Sequence, residues 1–186
     1  MGSTTVRAGL MKCATGAGRI SAAEEKVLRA TARTHLATGA PIVSHITGGL
    51  EAEQIDLFES EGVAATALCL SHVGTGPQAS ERLLGALRRG ANVSVDQIGY
   101  PFEPDAVWIE VVALAVRAGF IGQVMIAHDT SVLASGPETI FGEATGASDF
   151  GYIPRVFVPE LQRTMGLSDG QIVTLLETNP QRFLAF

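Results

Sequence analysis

The hydrophobic and polar positions of this chain alternate between short apolar runs and longer amphipathic stretches. The runs are apolar nearly throughout, as expected for parallel strands that are covered on both faces. Each run is followed by a turn and a stretch with helical periodicity, and this alternation predicts a parallel α/β fold. The predicted strands are Ala8 to Ala14, Pro41 to His45, Ala67 to His72, Asn92 to Gln97 and Gln123 to Asp129.

Capping residues mark the predicted helices. Ser21 with Glu24 three residues later indicates a capping box, and the helix that it begins ends near Thr38, before Gly39. A glycine suited to the left-handed position after a helix also ends the helices predicted over 50–61, 78–89 and 105–118. Two more helices are predicted over 154–165 and 168–177.

A long Gly-rich segment, Thr130 to Gly151, separates the last predicted strand from these two helices. Loops of this length are uncommon in compact domains and usually have a function, so we interpret it as a substrate-covering loop. The chain has no linker-like or low-complexity tract, and one domain is predicted over 1–186.

The composition narrows the class of protein. Hydrophobic residues make up 46% of the 186 positions and charged residues 17%, which is typical of a globular protein. A net charge of -6 without a basic run argues against nucleic acid and membranes as partners and favours a small-molecule substrate. No apolar run approaches the ~18 residues of a membrane span. Cys13 and Cys69 each lie in an apolar stretch, which indicates reduced buried thiols and a cytoplasmic protein.

Polar residues end the predicted strands, namely Lys12, His45, His72, Asp96 and Asp129. In a parallel barrel these residues share the C-terminal rim, where barrel enzymes carry their catalytic groups. Their intervals of 33, 27, 24 and 33 residues are each about one βα unit, which predicts neighbouring positions around one ring.

Two imidazoles, a carboxylate and a lysine suit a divalent ion such as zinc. A desolvated neutral Lys12 could add carbon dioxide and become an anionic carbamate that bridges two ions. Each residue also has an ordinary interpretation: Lys12 as an ion-pair partner or a Schiff-base lysine, His45 and His72 as core histidines, and Asp129 as a turn cap. Their common rim favours the metal site when they are taken together.

Six stretches of the chain carry a family resemblance: RAGLMKCATG, ATGAPIVSH, FESEGV, LCLSH, VMIAHDT and TNPQRFL. In order and spacing they resemble the second half of phosphotriesterases and their lactonase relatives in the amidohydrolase superfamily. The resemblance covers essentially the whole chain. It implies a metal-dependent hydrolase with a (β/α) TIM barrel, of which this chain contains about strands four to eight.

The resemblance also implies roles for the rim residues. Lys12 matches the carboxylated lysine that ends strand four, His45 and His72 match the histidines that end strands five and six, and Asp129 matches the aspartate that ends strand eight. The family binds two divalent metals, here expected to be zinc. An activated hydroxide attacks an ester, lactone or phosphotriester, and Asp129 is the expected catalytic proton acceptor.

The chain departs from the family pattern in three places. The His-x-His pair that ends the family's first strand does not occur in this sequence, which predicts a truncated portion with impaired or no activity alone. Thr75 stands where the family has an aspartate, and Gln97 stands where phosphotriesterases have histidine and lactonases arginine. Both are weaker candidates for substrate binding, and they argue against the usual proton relay.

Strand alternation separates two further polar residues from the site. His128 should face away from Asp129 and is expected to pack, and Asp96 should face away from Gln97 and make a structural hydrogen bond. A five-stranded arc would also leave two open edges, which a homodimer is one way to cover.

Two other functions are kept beside the hydrolase. A non-catalytic half-barrel that binds a metal or a partner chain is favoured by the missing His-x-His pair. A lyase that uses Lys12 as a Schiff-base nucleophile is the more remote alternative.

Overall fold

Five parallel strands form one sheet in the order in which they occur along the chain. The computed structural model describes residues 8–76, 78–100, 103–129 and 150–185. The predicted parallel α/β architecture is confirmed. The strands are Met11–Thr15 (β1), Ile42–Ile46 (β2), Leu68–Ser71 (β3), Asn92–Val95 (β4) and Val124–Ile126 (β5).

Helices connect the first four strands to the strands that follow them. They are Ala22–Thr38 (α1), Glu51–Ser60 (α2), Ala79–Arg88 (α3) and Asp105–Arg117 (α4). Short 3₁₀ turns, Ala65–Ala67 and Ile121–Gln123, lead into β3 and β5. The predicted glycine ends are confirmed, since the backbone is left-handed at Gly39, Gly62, Gly90 and Gly119.

The C-terminal segment contains two π-helical turns between its helices. Ile153–Phe157 is a π turn that continues into Val158–Met165 (α5). Asp169–Val173 (α6) passes through the π turn Thr174–Thr178 into Asn179–Leu184 (α7). None of the helices in these described ranges is both long and apolar enough to cross a membrane.

Several predicted boundaries are wrong at the ends of elements. Strands β1, β3, β4 and β5 are shorter than predicted, and β2 has its predicted length but is shifted by one residue. In β3, β4 and β5 the chain leaves the sheet before the polar residue that was expected to end the strand. The last predicted helix does not stop at 177 but continues to Leu184. Pro180 lies just after the π turn, where the Asn179 N–H bonds to the Thr174 carbonyl and the helix continues into α7. The predicted loop over 130–151 lies outside the described residues except for 150 and 151.

The main core lies between the sheet and its helices. Alternate strand residues face the helices, and their side chains are almost fully buried with those of Phe58 and Trp108. These strand residues are Ile42, Leu68, Leu70, Val93, Val95 and Val124. Burial of this outer face holds the strands in place and leaves the opposite, inner face for the polar residues.

A smaller cluster lies on the inner face of the sheet. Phe183 of α7 packs there against Cys69, Met125 and the partly buried Val43. Cys69 and Cys13 are both buried and free, as predicted. The helix α7 therefore covers part of the inner face.

A capping box begins α1 and also ties down the loop after β1. The Ser21 side chain accepts a hydrogen bond from the Glu24 backbone N–H. The Glu24 carboxylate accepts from the backbone N–H groups of Ser21 at 2.7 Å and Gly16 at 2.6 Å. Hydrogen bonds from the Ser21 side chain and from the Gly16 and Ser21 backbones lower the pKa of Glu24 to about 2.

This carboxylate should make the stability of the protein depend on acid pH. Because the folded-state pKa of Glu24 lies below its ordinary value of 4.5, its stabilising effect is present above that pH and is lost as the pH falls towards 2. We expect the urea midpoint of the protein to exceed that of Glu24→Gln near neutral pH, and the gap to narrow as the pH falls from about 5 to about 3. A gap that stays constant over this range would contradict the assignment.

Arg82 of α3 connects the loops that follow β2 and β3. Its Nε lies 3.1 Å from a carboxylate oxygen of the buried Glu51, and its Nη2 donates to the Thr75 carbonyl at 2.9 Å. A Cβ atom at Gly49 would lie 2.9 Å from the Arg82 Nε, so the glycine allows the guanidinium to pack on the loop. Arg82 thereby holds the loop that follows β2 against the loop that follows β3.

Candidate functional site

Two histidine rings meet at the carboxyl ends of β2 and β3. His45 is paired in register with Ala14 of β1 and with Ser71 of β3. His72 directly follows Ser71, and its ring centroid lies 4.2 Å from that of His45 in an edge-on contact. Sequence positions 27 residues apart are therefore neighbours on one rim, as their spacing predicts.

His72 lies between two carboxylates. Its Nδ1 is 2.8 Å from Asp96 Oδ1, and its Nε2 is 4.0 Å from Asp129 Oδ2. The backbone N–H of His72 also donates to the Asp96 carboxylate, at 3.2 and 3.3 Å. Because an ionised carboxylate can only accept, a neutral His72 must donate from Nδ1, which leaves the Nε2 lone pair facing Asp129.

The strand ends at this rim share an unusual backbone conformation. His72, Gln97 and Asp129 have φ values of 64°, 64° and 61°, in the left-handed region that non-glycine residues seldom adopt. Such conformations cost energy and tend to occur at functional sites. They also interrupt the alternation of side chains between the two faces of a strand. That alternation therefore does not predict where the side chains at these three positions point.

The two histidines have opposite pKa shifts. Burial alone would lower the pKa of His72, but its hydrogen bond to Asp96 and the charges of Asp96 and Asp129 outweigh burial and raise it. Burial lowers the pKa of His45, and the neighbouring His72 and Lys12 lower it further. His45 is therefore the more readily neutral imidazole, which is the form that binds a metal.

Lys12 lies on the inner face of β1, paired in register with Val43. Lys12 is exposed, so the desolvation expected for its amine is not found, whereas Cys13 on the opposite face is buried. No group of three or more His, Cys, Asp or Glu side chains close enough to hold a metal is formed within the ranges that the structure describes. The rim therefore presents a His72 and Asp129 pair with His45 alongside, rather than a closed metal cage.

Gln97 and Thr75 each accept a hydrogen bond through the backbone carbonyl. The Gln97 carbonyl accepts from the Tyr100 backbone N–H at 3.1 Å and so forms a turn after β4. The Thr75 carbonyl accepts from Arg82, as described above. Both residues are partly buried on the loops that follow the rim.

Asp96 makes a hydrogen bond, as predicted, but the prediction that it lies away from the site is wrong, because its partner is the site residue His72. Alternation from Gln97 did not indicate this partner, because Gln97 is left-handed and no longer follows the strand. Sequence analysis also missed Tyr100, whose hydroxyl donates to the Asp129 carbonyl at 2.9 Å. The sequence feature that could have indicated Tyr100 is its position in the turn directly after a predicted strand with a polar end.

His128 lines a cavity together with Asp129, Ile153, Pro154 and Leu176. Its ring makes an edge-on contact with Phe150 at 6.4 Å. The Nδ1 atom is buried without a hydrogen-bond partner in the part of the chain that the structure describes. The ring contact of His128 differs from the contact of Asp129, whose carboxylate lies 4.0 Å from His72 Nε2.

Comparison with known proteins gives a consistent result. The model of the phosphotriesterase family matches residues 1–184. The phosphotriesterase homology protein of Mycobacterium tuberculosis is 30% identical over 185 residues, which cover 96% of this chain and 56% of that protein. The phospho-furanose lactonase of Mycoplasmopsis synoviae is 27% identical over 184 residues, which cover 97% of this chain and 51% of that protein.

A solved structure gives the same picture of the fold. The crystal structure of the Escherichia coli phosphotriesterase homology protein, with phosphate in its active site, superposes with a TM-score of 0.84 at 26% identity. The superposition covers 100% of this chain and 62% of that chain. The chain spans about half the length of the curated relatives it matches, and its five-stranded sheet is part of a TIM barrel of the phosphotriesterase type. These matches, which extend over nearly every residue, show that the chain belongs to the phosphotriesterase family.

Proposed function

We propose that this protein is a metal-dependent hydrolase that acts on ester bonds of lactones, carboxyl esters or phosphotriesters. The observation that carries the proposal is the placement of His72 between Asp96 and Asp129. One carboxylate orients the imidazole, and the other lies across from its free nitrogen. A carboxylate that hydrogen-bonds to a histidine, which in turn binds a metal, is a common arrangement in metal sites.

The separation of His72 and Asp129 is slightly longer than one bound zinc ion requires. Zinc binds histidine nitrogen and carboxylate oxygen at about 2.0–2.2 Å, so two ligands of one tetrahedral ion lie about 3.3–3.6 Å apart. The 4.0 Å between His72 Nε2 and Asp129 Oδ2 exceeds that separation, and a small side-chain movement would close the gap. His45 contacts the His72 ring from the neighbouring strand. We propose His45, His72 and Asp129 as metal ligands, with Lys12 completing the set as its carbamate.

The residues of this chain would have separate roles in the reaction. Divalent zinc, when bound, lowers the pKa of water and polarises a substrate oxygen. Asp129 is the proposed proton acceptor, because its half-exposed carboxylate can reach both the ion and the solvent. Asp96 would keep His72 oriented. Gln97 and Thr75, on the loops after the rim, are proposed as weaker contacts to the substrate.

Relatives support the class of substrate. One is named a phospho-furanose lactonase, and the Escherichia coli neighbour holds phosphate in its active site. A phosphate or a lactone carbonyl both present an oxygen next to an electrophilic centre. A small molecule of this kind is the proposed substrate.

The setting of the reaction is also a proposal. Two free, buried thiols support a cytoplasmic location. A single domain over 1–186 is supported by the one sheet. A homodimer that covers the open edge of β1 is the proposed assembly.

The direct test combines metal analysis with hydrolysis assays. Purified, monodisperse protein is analysed for bound metal, then assayed on a lactone and an aryl phosphotriester with and without a chelator. Turnover that the chelator abolishes supports the proposal. Bound metal without turnover would favour a non-catalytic metal-binding protein, and borohydride trapping of a carbonyl compound on Lys12 would favour a lyase.

Removing the orienting carboxylate should weaken metal binding. For Asp96→Asn we expect affinity for Zn²⁺ to fall about 10- to 100-fold, because the neutral amide makes a weaker hydrogen bond to His72 Nδ1 and no longer increases the basicity of the imidazole. Asp105→Asn is the matched control, since Asp105 also accepts a hydrogen bond, from the Tyr152 hydroxyl at 2.7 Å. The measurement is a competition titration with a zinc indicator. Equal affinities in the two variants would refute the role of Asp96.

A further inference from the structure

Tyr100 connects the turn after β4 to the residue that follows β5. The tyrosine is 6% exposed, so its ring is part of the protein interior. Its hydroxyl donates a hydrogen bond to the Asp129 carbonyl oxygen at 2.9 Å. This contact joins residues 29 positions apart in the sequence.

The turn that carries Tyr100 is itself fixed at both ends. The Tyr100 backbone N–H donates to the Gln97 carbonyl at 3.1 Å. Gly99 is left-handed, and a Cβ atom there would lie 2.9 Å from the Tyr152 ring, so the turn packs closely against that ring. The Tyr100 hydroxyl is therefore presented from a rigid support.

Asp129 needs such a support because it has already left the sheet. The strand β5 ends at Ile126, and the next backbone hydrogen bond to β4 runs from the Ala127 N–H to the Val95 carbonyl. Asp129 lies two residues further on, with the strained φ of 61°. Its carboxylate is nevertheless held 4.0 Å from His72 Nε2.

We propose that Tyr100 is a positioning residue, whose hydroxyl fixes the Asp129 peptide group and thereby sets the distance between the Asp129 carboxylate and His72. The proposal rests on the proposed function for the role of the carboxylate in metal binding. Its geometric part, control of the Asp129 backbone by a hydroxyl, is independent of any metal. If Tyr100 only filled space in the core, replacing it with phenylalanine would leave the position of Asp129 unchanged.

The two tyrosines of the chain allow a matched test. Tyr100→Phe removes the hydroxyl that reaches Asp129 and keeps the buried ring. Tyr152→Phe removes a hydroxyl from a partly buried ring that contacts Asp105 instead. Urea midpoints of both variants establish that each is folded.

Two measurements then separate positioning from packing. The first is the ¹³C chemical shift of the Asp129 backbone carbonyl in metal-free protein, which reports the hydrogen bond directly. The second is the apparent Kd for Co²⁺, followed by its visible absorption. We expect Tyr100→Phe to move the carbonyl shift upfield and to weaken Co²⁺ binding about 3- to 10-fold, the effect of one net hydrogen bond. We expect Tyr152→Phe to change neither.

The outcomes distinguish this proposal from the proposed function. Equal changes in the two variants, or an unchanged carbonyl shift in Tyr100→Phe, would overturn the positioning role. An upfield shift without a loss of Co²⁺ affinity would also overturn it, because Asp129 would then bind without the support. If the wild-type protein binds no Co²⁺, the proposed metal site fails, and the carbonyl shift alone decides whether Tyr100 controls Asp129.

Discussion

In protein that turns over a lactone or phosphotriester, replacing Asp129 with asparagine is expected to lower kcat about 10²- to 10⁴-fold, the usual loss when a general base is removed. An amide lacks the charge that binds a cation and cannot accept the proton. Asparagine is also the substitution that best preserves the fold, since it tolerates the left-handed backbone at this position. The loss should therefore come from the carboxylate and not from unfolding.

The experiment compares kcat at saturating metal for Asp129→Asn and Asp56→Asn. Asp56 is the matched control because its side chain is exposed and pairs with Arg89 on the surface, away from the rim. Retention of more than about a tenth of the activity in Asp129→Asn would rule out the proton-accepting role, given the size of the expected loss. Equal losses in both variants would indicate a general effect on the protein.

A second large effect is expected at the opposite end of β5. Asn179 is fully buried, and its Nδ2 donates to the carbonyls of Ile121 and Val124, both at 2.7 Å. Asn179→Ala would leave the buried Val124 carbonyl and the part-buried Ile121 carbonyl without this donor. At about 1–3 kcal/mol for a buried group left unpaired and less for a part-buried one, we expect the free energy of unfolding to fall by about 1–4 kcal/mol.

Urea denaturation of Asn179→Ala and Gln162→Ala tests this expectation. Gln162 also bridges polar groups through its amide, to the Leu167 carbonyl and the Asp169 carboxylate, but its bond to Asp169 is exposed. Its removal should change stability by less than about 0.5 kcal/mol. Similar losses in the two variants would show that burial of the two carbonyls is not what makes Asn179 important.

The centres of the elements could be predicted from the sequence because burial decides them. Apolar runs such as Leu68 to Leu70 are buried in the sheet beneath the helices. The Ser21 capping box was readable because both partners lie within one turn. Local patterns and the hydrophobic effect therefore suffice for the order of strands and helices.

The details of the rim could not be predicted in the same way. The partners of Asp96 and Tyr100 lie 24 and 29 residues away, and only the assembled sheet brings them together. The left-handed residues at the ends of β3, β4 and β5 have no local signal, since none of the three is glycine. The π turn before Asn179 likewise depends on packing against β5 and not on the propensity of its residues.

The left-handed conformation of His72, Gln97 and Asp129 has a consequence for the evolution and engineering of this chain. Each costs on the order of 1 kcal/mol relative to a residue that accepts this conformation freely. Glycine would relieve the strain at any of the three positions and would remove the side chain that the site depends on. Selection for thermal stability alone therefore favours glycine at these three positions. Variants selected in this way are expected to be more stable but to lack the side chains of the site.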